Sequence, residues 1–101
     1  MRMMLNVTLP HEPFNSLVRE GKAGTLLGRI LDEIQPSAVY FTEVNGHRGL
    51  VAIVDVPDPS KVPSLAEPFY LSFNAECRLR IVMSPEELQN AGLAEIGQRW
   101  G

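Results

Sequence analysis

This chain of 101 residues is short of several things, and each shortage closes off a class of function. It has one cysteine, Cys77. No disulfide can form within the chain, and a reducing, cytoplasmic setting is expected. It has two histidines, His11 and His47, and neither belongs to a His-x-x-x-His, a cysteine pair or a carboxylate cluster at ligand spacing. No metal site is therefore expected. Lys+Arg number 9 against 12 Asp+Glu, a formal net charge of −3. That is the wrong sign for a phosphate backbone, so no nucleic-acid partner is expected. No run approaches the ~20 apolar residues that span a bilayer, which argues against a membrane role. The opening MRMMLNVTLP has no long apolar core and no small-residue cleavage site, and does not read as a signal peptide. The stretch EGKAGTLLG falls short of a phosphate-binding loop. Gly21-Lys22 is followed by Ala23, position 16 is serine, and the segment lies inside a helical pattern. No cofactor is implied.

What is present suits one globular domain, residues 1–101, with 45% hydrophobic and 21% charged residues. Met3, Leu5, Val7 and Leu9 alternate with Met4, Asn6 and Thr8, which predicts a strand closed by Pro10. From about Glu12 the spacing becomes helical: Phe14, Leu17, Val18, then Leu27, Ile30, Leu31 and Ile34. Gly21 and Gly24 weaken the middle and predict a break or bend, with Pro36 ending the second piece. Residues 37–44 form a second strand. Asn45-Gly46 follows as a type I′ hairpin signal, because both central residues of that turn need positive φ. The third strand is 49–56.

A helix over about 60–74 carries Leu65, Phe69 and Phe73 on one stripe, with Pro68 in its middle. The stripe reads as core-packing, and Pro68 as a kink or restart. Residues 76–83 alternate again as a fourth strand. Ser84-Pro85-Glu86-Glu87 is a capping box opening a single C-terminal helix over about 85–98.

The order is β-α-β-β-α-β plus a terminal helix. This predicts an α+β, ferredoxin-like domain with a four-stranded antiparallel sheet of order 4-1-3-2 and both helices on one face. Alternation then assigns Met4, Asn6, Thr8, Tyr40, Thr42, Val51, Ile53, Asp55, Glu76, Arg78, Arg80 and Val82 to the other face. That face is too apolar to sit comfortably in water and too charged to be a second core. It suits the pairing of two subunits, sheet against sheet, with a polar-lined cavity between them.

The hairpin VYFTEVNGHRGLVAIVDVPDPSKVPSLAEP and the following FNAECRLRIVMSPEEL resemble a family of small, uncharacterised bacterial proteins with no assigned activity. The resemblance covers nearly the whole chain, and its most specific pieces are DPSKVPSLAEPF and VMSPEEL. Members look like dimeric α+β barrel proteins. The wider superfamily includes muconolactone isomerases, antibiotic-biosynthesis monooxygenases, chlorite dismutases and EthD-like proteins. The resemblance implies fold and homodimer, and carries over no catalytic residues.

Two functions follow as expectations. In the first, a small organic or anionic metabolite binds between the sheets to Asn6, Tyr40, Arg78 and Arg80. The guanidinium groups would take its carboxylate, or else form an inter-subunit salt-bridge set with Asp55 and Glu76 at the dimer seam. The alternative is a cofactor-independent isomerase or monooxygenase in the same cavity, with His11, Tyr40 and Arg78 as its first candidates for acid–base or polarising roles. His47, beside the turn, reads as solvated, and Cys77 as a small core side chain. A haem-linked activity is disfavoured, since neither histidine lies on an element that faces a large cavity.

Overall fold

A computed structural model describes residues 1–101. Four strands form one antiparallel sheet: β1 (Arg2–Leu9), β2 (Ala38–Val44), β3 (His47–Asp55) and β4 (Glu76–Ile81). Their order is β2-β3-β1-β4, the same set of neighbours as 4-1-3-2 read from the opposite edge. β1 is flanked on both sides, pairing Leu5 with Ala52 of β3 and with Leu79 of β4. The β2–β3 turn has Asn45 at φ 50° and Gly46 at φ 82°, the two positive values that a type I′ turn requires.

The first helical stretch is divided, as the glycines predict, into α1 (His11–Arg19) and α2 (Ala23–Ile34). Gly21, at φ 71°, turns the chain between them. Glu12 is extended within the start of α1 (φ −112°, ψ 140°). The following Pro13 bars it from the helical region. A short 3-10 turn, Pro59–Lys61, leads into α3 (Val62–Phe73). No break appears at Pro68, so the expected restart is corrected to a single helix. Leu65, Ala66, Phe69 and Phe73 are buried on both sides of that proline. Their burial, at about 1.5–3 kcal/mol for each large side chain, outweighs the ~3 kcal/mol helix penalty.

The single C-terminal helix is also corrected. There are two, α4 (Pro85–Gln89) and α5 (Leu93–Trp100), separated at Gly92, whose φ of 75° no regular helix accommodates. The capping box is formed. The Glu87 amide donates to Ser84 Oγ at 3.1 Å, and the Ser84 amide donates to Glu87 Oε1 at 2.8 Å.

The core lies between α1–α3 and one face of the sheet. Leu5, Val7 and Leu9 of β1 and Leu50, Ala52 and Val54 of β3 meet Phe14, Ile30, Leu65, Phe69 and Phe73. The Phe14 and Phe73 rings approach to 5.3 Å between centroids. Cys77 lies on this side as expected, half-buried, and burial followed by the charge of Glu67 pushes its thiol up to about 11. It is thus held as an unreactive thiol at neutral pH.

Beyond Ile81 the chain leaves this body. The molecule measures 60 × 28 × 19 Å with a radius of gyration of 17.1 Å. A compact chain of this length would have about 13 Å. Neither α4 nor α5 buries a residue.

Candidate functional site

The face of the sheet turned away from the helices is ordered in rows by the strand register. One row, across β2, β3, β1 and β4, is Thr42, Gly49, Thr8, Glu76; the next is Tyr40, Val51, Asn6, Arg78; the third is Ala38, Ile53, Met4, Arg80. The face therefore divides diagonally. Ala38, Tyr40, Val51, Ile53 and Met4 make an apolar part, while Asn6, Thr8, Glu76, Arg78 and Arg80 make a polar part on β1 and β4.

The polar part is the floor of a groove of about 570 Å³. Asn6, Thr8, Glu76, Arg78 and Arg80 line it together with His47, Asn45, Asn74, Pro10 and the one hydrophobic residue, Val44. The wall at the hairpin end follows from Gly49. Val44 Cγ2 stands 2.8 Å from where a Gly49 Cβ would be, and the Val7 carbonyl oxygen 3.1 Å. Only glycine lets Val44 lean in so far. The opposite rim carries Asn74, the left-handed C-cap of α3 (φ 56°).

Two features set the chemistry. The Asn6 side-chain nitrogen, Nδ2, is buried and has no hydrogen-bond partner. Its cross-strand neighbour is Arg78. The intrachain ion pairs are the Met1 amine with Asp55, Arg2 with Glu87, Arg19 with Glu12, and Lys22 with Glu20. Arg78 and Arg80 are in none of them. Within one chain Arg78 and Arg80 pair with neither Asp55 nor Glu76, the two residues they were expected to meet across a subunit boundary. Asp55 is taken by the chain terminus at 3.1 Å, and Glu76 is offset along the strand from both guanidinium groups.

Of the sequence-predicted residues, the structure brings Asn6, Arg78 and Arg80 together. It leaves out Tyr40, which is 72% exposed. Tyr40 shares the row of Asn6 and Arg78 but stands three strand spacings, about 14 Å, from Arg78. His11 does not line the groove. Its ring stacks on His47, with centroids 4.5 Å apart and planes at 27°. Arg48 holds that corner. Its guanidinium lies 4.7 Å over the Phe14 ring and donates to Asn15 Oδ1 at 2.7 Å, tying the hairpin to α1.

Sequence reasoning missed His47, which it left in solvent. The signal was available. A two-residue turn at Asn45-Gly46 makes position 47 the first residue of β3, and odd positions of β3 face the groove. Asn74 and Val44 reach the groove through a helix cap and a glycine contact that no spacing rule displays.

No family model matches the sequence, and no curated protein matches it. The resemblance read from the sequence is thereby narrowed to an α+β domain with a four-stranded antiparallel sheet. Among solved structures, a formyltetrahydrofolate deformylase from Pseudomonas putida KT2440 is similar at a TM-score of 0.49 and 14% identity. The match covers 81% of this chain and 29% of that one. Protein Atu4242 from Agrobacterium tumefaciens is similar at a TM-score of 0.40 and 13% identity, covering 84% of this chain and 98% of that one. Neither likeness is strong enough to carry a fold or an activity. No group of three or more His, Cys, Asp or Glu is placed to hold a metal ion. No helix is long and apolar enough to cross a membrane.

Proposed function

We propose that the groove binds a small organic anion bearing a carboxylate. The observation that carries this reading is the buried, unpartnered Nδ2 of Asn6 beside the unpaired guanidinium groups of Arg78 and Arg80. A buried donor without an acceptor costs about 1–3 kcal/mol. Rotation of the Asn6 amide toward the groove, with a carboxylate oxygen as acceptor, would remove that cost, and planar guanidinium groups suit the geometry of a carboxylate. A volume of about 570 Å³ suits a metabolite rather than a macromolecule. Glu76 and His47 give the site polar groups of other kinds, able to orient the rest of the ligand. Supporting binding rather than isomerase or oxygenase chemistry is the separation of the three candidate catalytic groups. Tyr40 is remote from Arg78 and His11 lies outside the groove, so the three groups chosen from the sequence do not converge on one ligand position. We read the scaffold as ferredoxin-like, which its element order and sheet order support.

The test is titration calorimetry with acetate, malonate, succinate and inorganic phosphate. Binding of at least one carboxylate is expected. Arg78→Ala and Arg80→Ala should each weaken it about tenfold or more, the size of a lost charge-assisted hydrogen bond. Asn6→Leu should abolish binding and raise stability by about 1 kcal/mol, since it removes the orphaned donor. Absence of heat with every carboxylate, or unchanged affinity in all three variants, would falsify the proposal.

A further inference from the structure

We infer that the C-terminal arm, residues 82–101, is an exchange element that packs on the apolar part of the open sheet face of a second copy of this chain. The arm is built as an interface and has nothing to cover on its own body. Met83, Leu88, Leu93, Ile96 and Trp100 are all exposed, Trp100 at 81%. An apolar hollow of about 460 Å³ lies between α4 and α5, lined by Pro85, Leu88, Gly92 and Leu93. Helices of five and eight residues are too short to persist in water without tertiary packing. A partner surface is therefore required.

The arm cannot easily find that surface on its own sheet. The Val82 amide donates to the Arg2 carbonyl at 3.4 Å, and the Arg2 guanidinium pairs with Glu87. These contacts tie only the start of the arm to β1, and no residue of α4 or α5 is buried on the body. A second copy offers what is needed: Met4, Val51 and Ile53, half-buried on the open face, with Tyr40 exposed at their edge.

Charge complementarity selects the same occupant. The arm carries Glu86, Glu87 and Glu95 against one cation, Arg99; Glu86 and Glu95 have no ion partner, and the receiving face is bordered by Arg78 and Arg80, also without partners. An acidic arm is poorly suited to a lipid surface, where basic residues on the polar face are the rule. The area is also adequate. At about 100–250 Å² for each large apolar side chain, the exposed parts of the arm come to on the order of 500 Å². Two arms exchanged across a two-fold axis, with the surfaces they cover, would bury on the order of 2,000 Å², against the roughly 1,200–2,000 Å² of a stable interface. The arm and a carboxylate ligand would compete for Arg78 and Arg80, so the association is measured without added carboxylate, where its outcome does not depend on whether the groove binds one.

Trp100 is the only tryptophan, so its fluorescence reports the arm alone. The full-length protein is measured by light scattering and by tryptophan emission over a range of concentrations. The expected result is a dimer whose emission moves to the blue as the dimer forms. Leu93→Glu should raise the dimer dissociation constant about 100-fold or more, because each exchange loses two buried leucines. Ile53→Glu, on the receiving face, should do the same and return the emission to that of a hydrated indole. Both positions lie outside the core, so circular dichroism should show intact folding. Four results would overturn the inference: a monomer throughout with red emission, a monomer with blue emission (the arm on its own body), a dimer indifferent to Leu93→Glu, or an emission shift produced only by added phospholipid vesicles.

Discussion

The two faces of this sheet are made by the same four strands, yet they obey different rules. On the covered face, Leu5, Val7, Leu50, Ala52 and Val54 are at most 1% exposed, and every neighbour is apolar. On the open face, alternate residues of those strands leave an amide donor unpartnered and two arginines unpaired. The first arrangement minimises the free energy of the isolated chain. The second does not, and the residual unsatisfied groups are what a ligand can act on. Stability and recognition are thus separated by a single residue step along each strand.

That separation can be broken most forcefully from the covered side. Phe69 is fully buried in α3 against the sheet. Phe69→Ala should cost about 3–5 kcal/mol, read as a large fall in the urea midpoint, whereas the open-face variants above should leave that midpoint nearly unchanged or raised. Equal destabilisation from Phe69→Ala and Arg78→Ala would mean that the two faces are one cooperative core.

Gly49 lies on the open face under Val44, and its replacement sharpens the contrast. Gly49→Ala places a methyl 2.8 Å from Val44 Cγ2 and 3.1 Å from a backbone oxygen that cannot turn aside. A cost of about 1–3 kcal/mol is expected, together with weaker carboxylate binding, because Val44 is the groove wall. Loss of stability with full binding would show that Val44 does not shape the site.

The smallest effect concerns the arm. Hydrogen bonding from the Ser84 amide, then from Arg2 and the Ser84 hydroxyl, lowers the Glu87 carboxyl from 4.5 to about 2. A depressed folded-state value means that the stabilisation is complete above the ordinary carboxylate range and is lost as pH falls through about 2. Far-UV dichroism of the wild-type chain should therefore lose a little helix between roughly pH 4.5 and 2, and Glu87→Gln should flatten that step. Since Glu87 is exposed, the change should be confined to the arm, with the core transition unmoved.

Much of this was legible in the sequence. Period-two alternation gave all four strands and the two faces. Asn45-Gly46 gave the hairpin, the paired glycines the division of the first helix, and Ser84–Glu87 the cap. Asn6, Arg78 and Arg80 followed from parity alone. What escaped depends on distance rather than period. Tyr40 has the right parity, but the order 4-1-3-2 already put its strand at the edge opposite Arg78, and sharing a face is not sharing a site. His47 was left two residues outside the expected strand, 49–56, although β3 begins at it. Pro68 looked like a break because local cost is visible in sequence, while the burial of Phe69 and Phe73 that offsets it is not. Gly92 ended α4–α5 as a single helix, although its helical periodicity continued on either side.

The alternation has a consequence for how this chain can change length. In β1 and β4 the odd-numbered residues belong to the core and the even-numbered ones to the open face, while β3 is reversed. Inserting or deleting one residue inside any of these strands would send the leucines and valines outward and the arginines inward. Such an event removes fold and site together. The same event at 20–22, 57–61 or 90–92 changes only a connection. Among descendants of this gene, additions and losses should therefore gather in those three connections, and the strands should drift in identity but not in count.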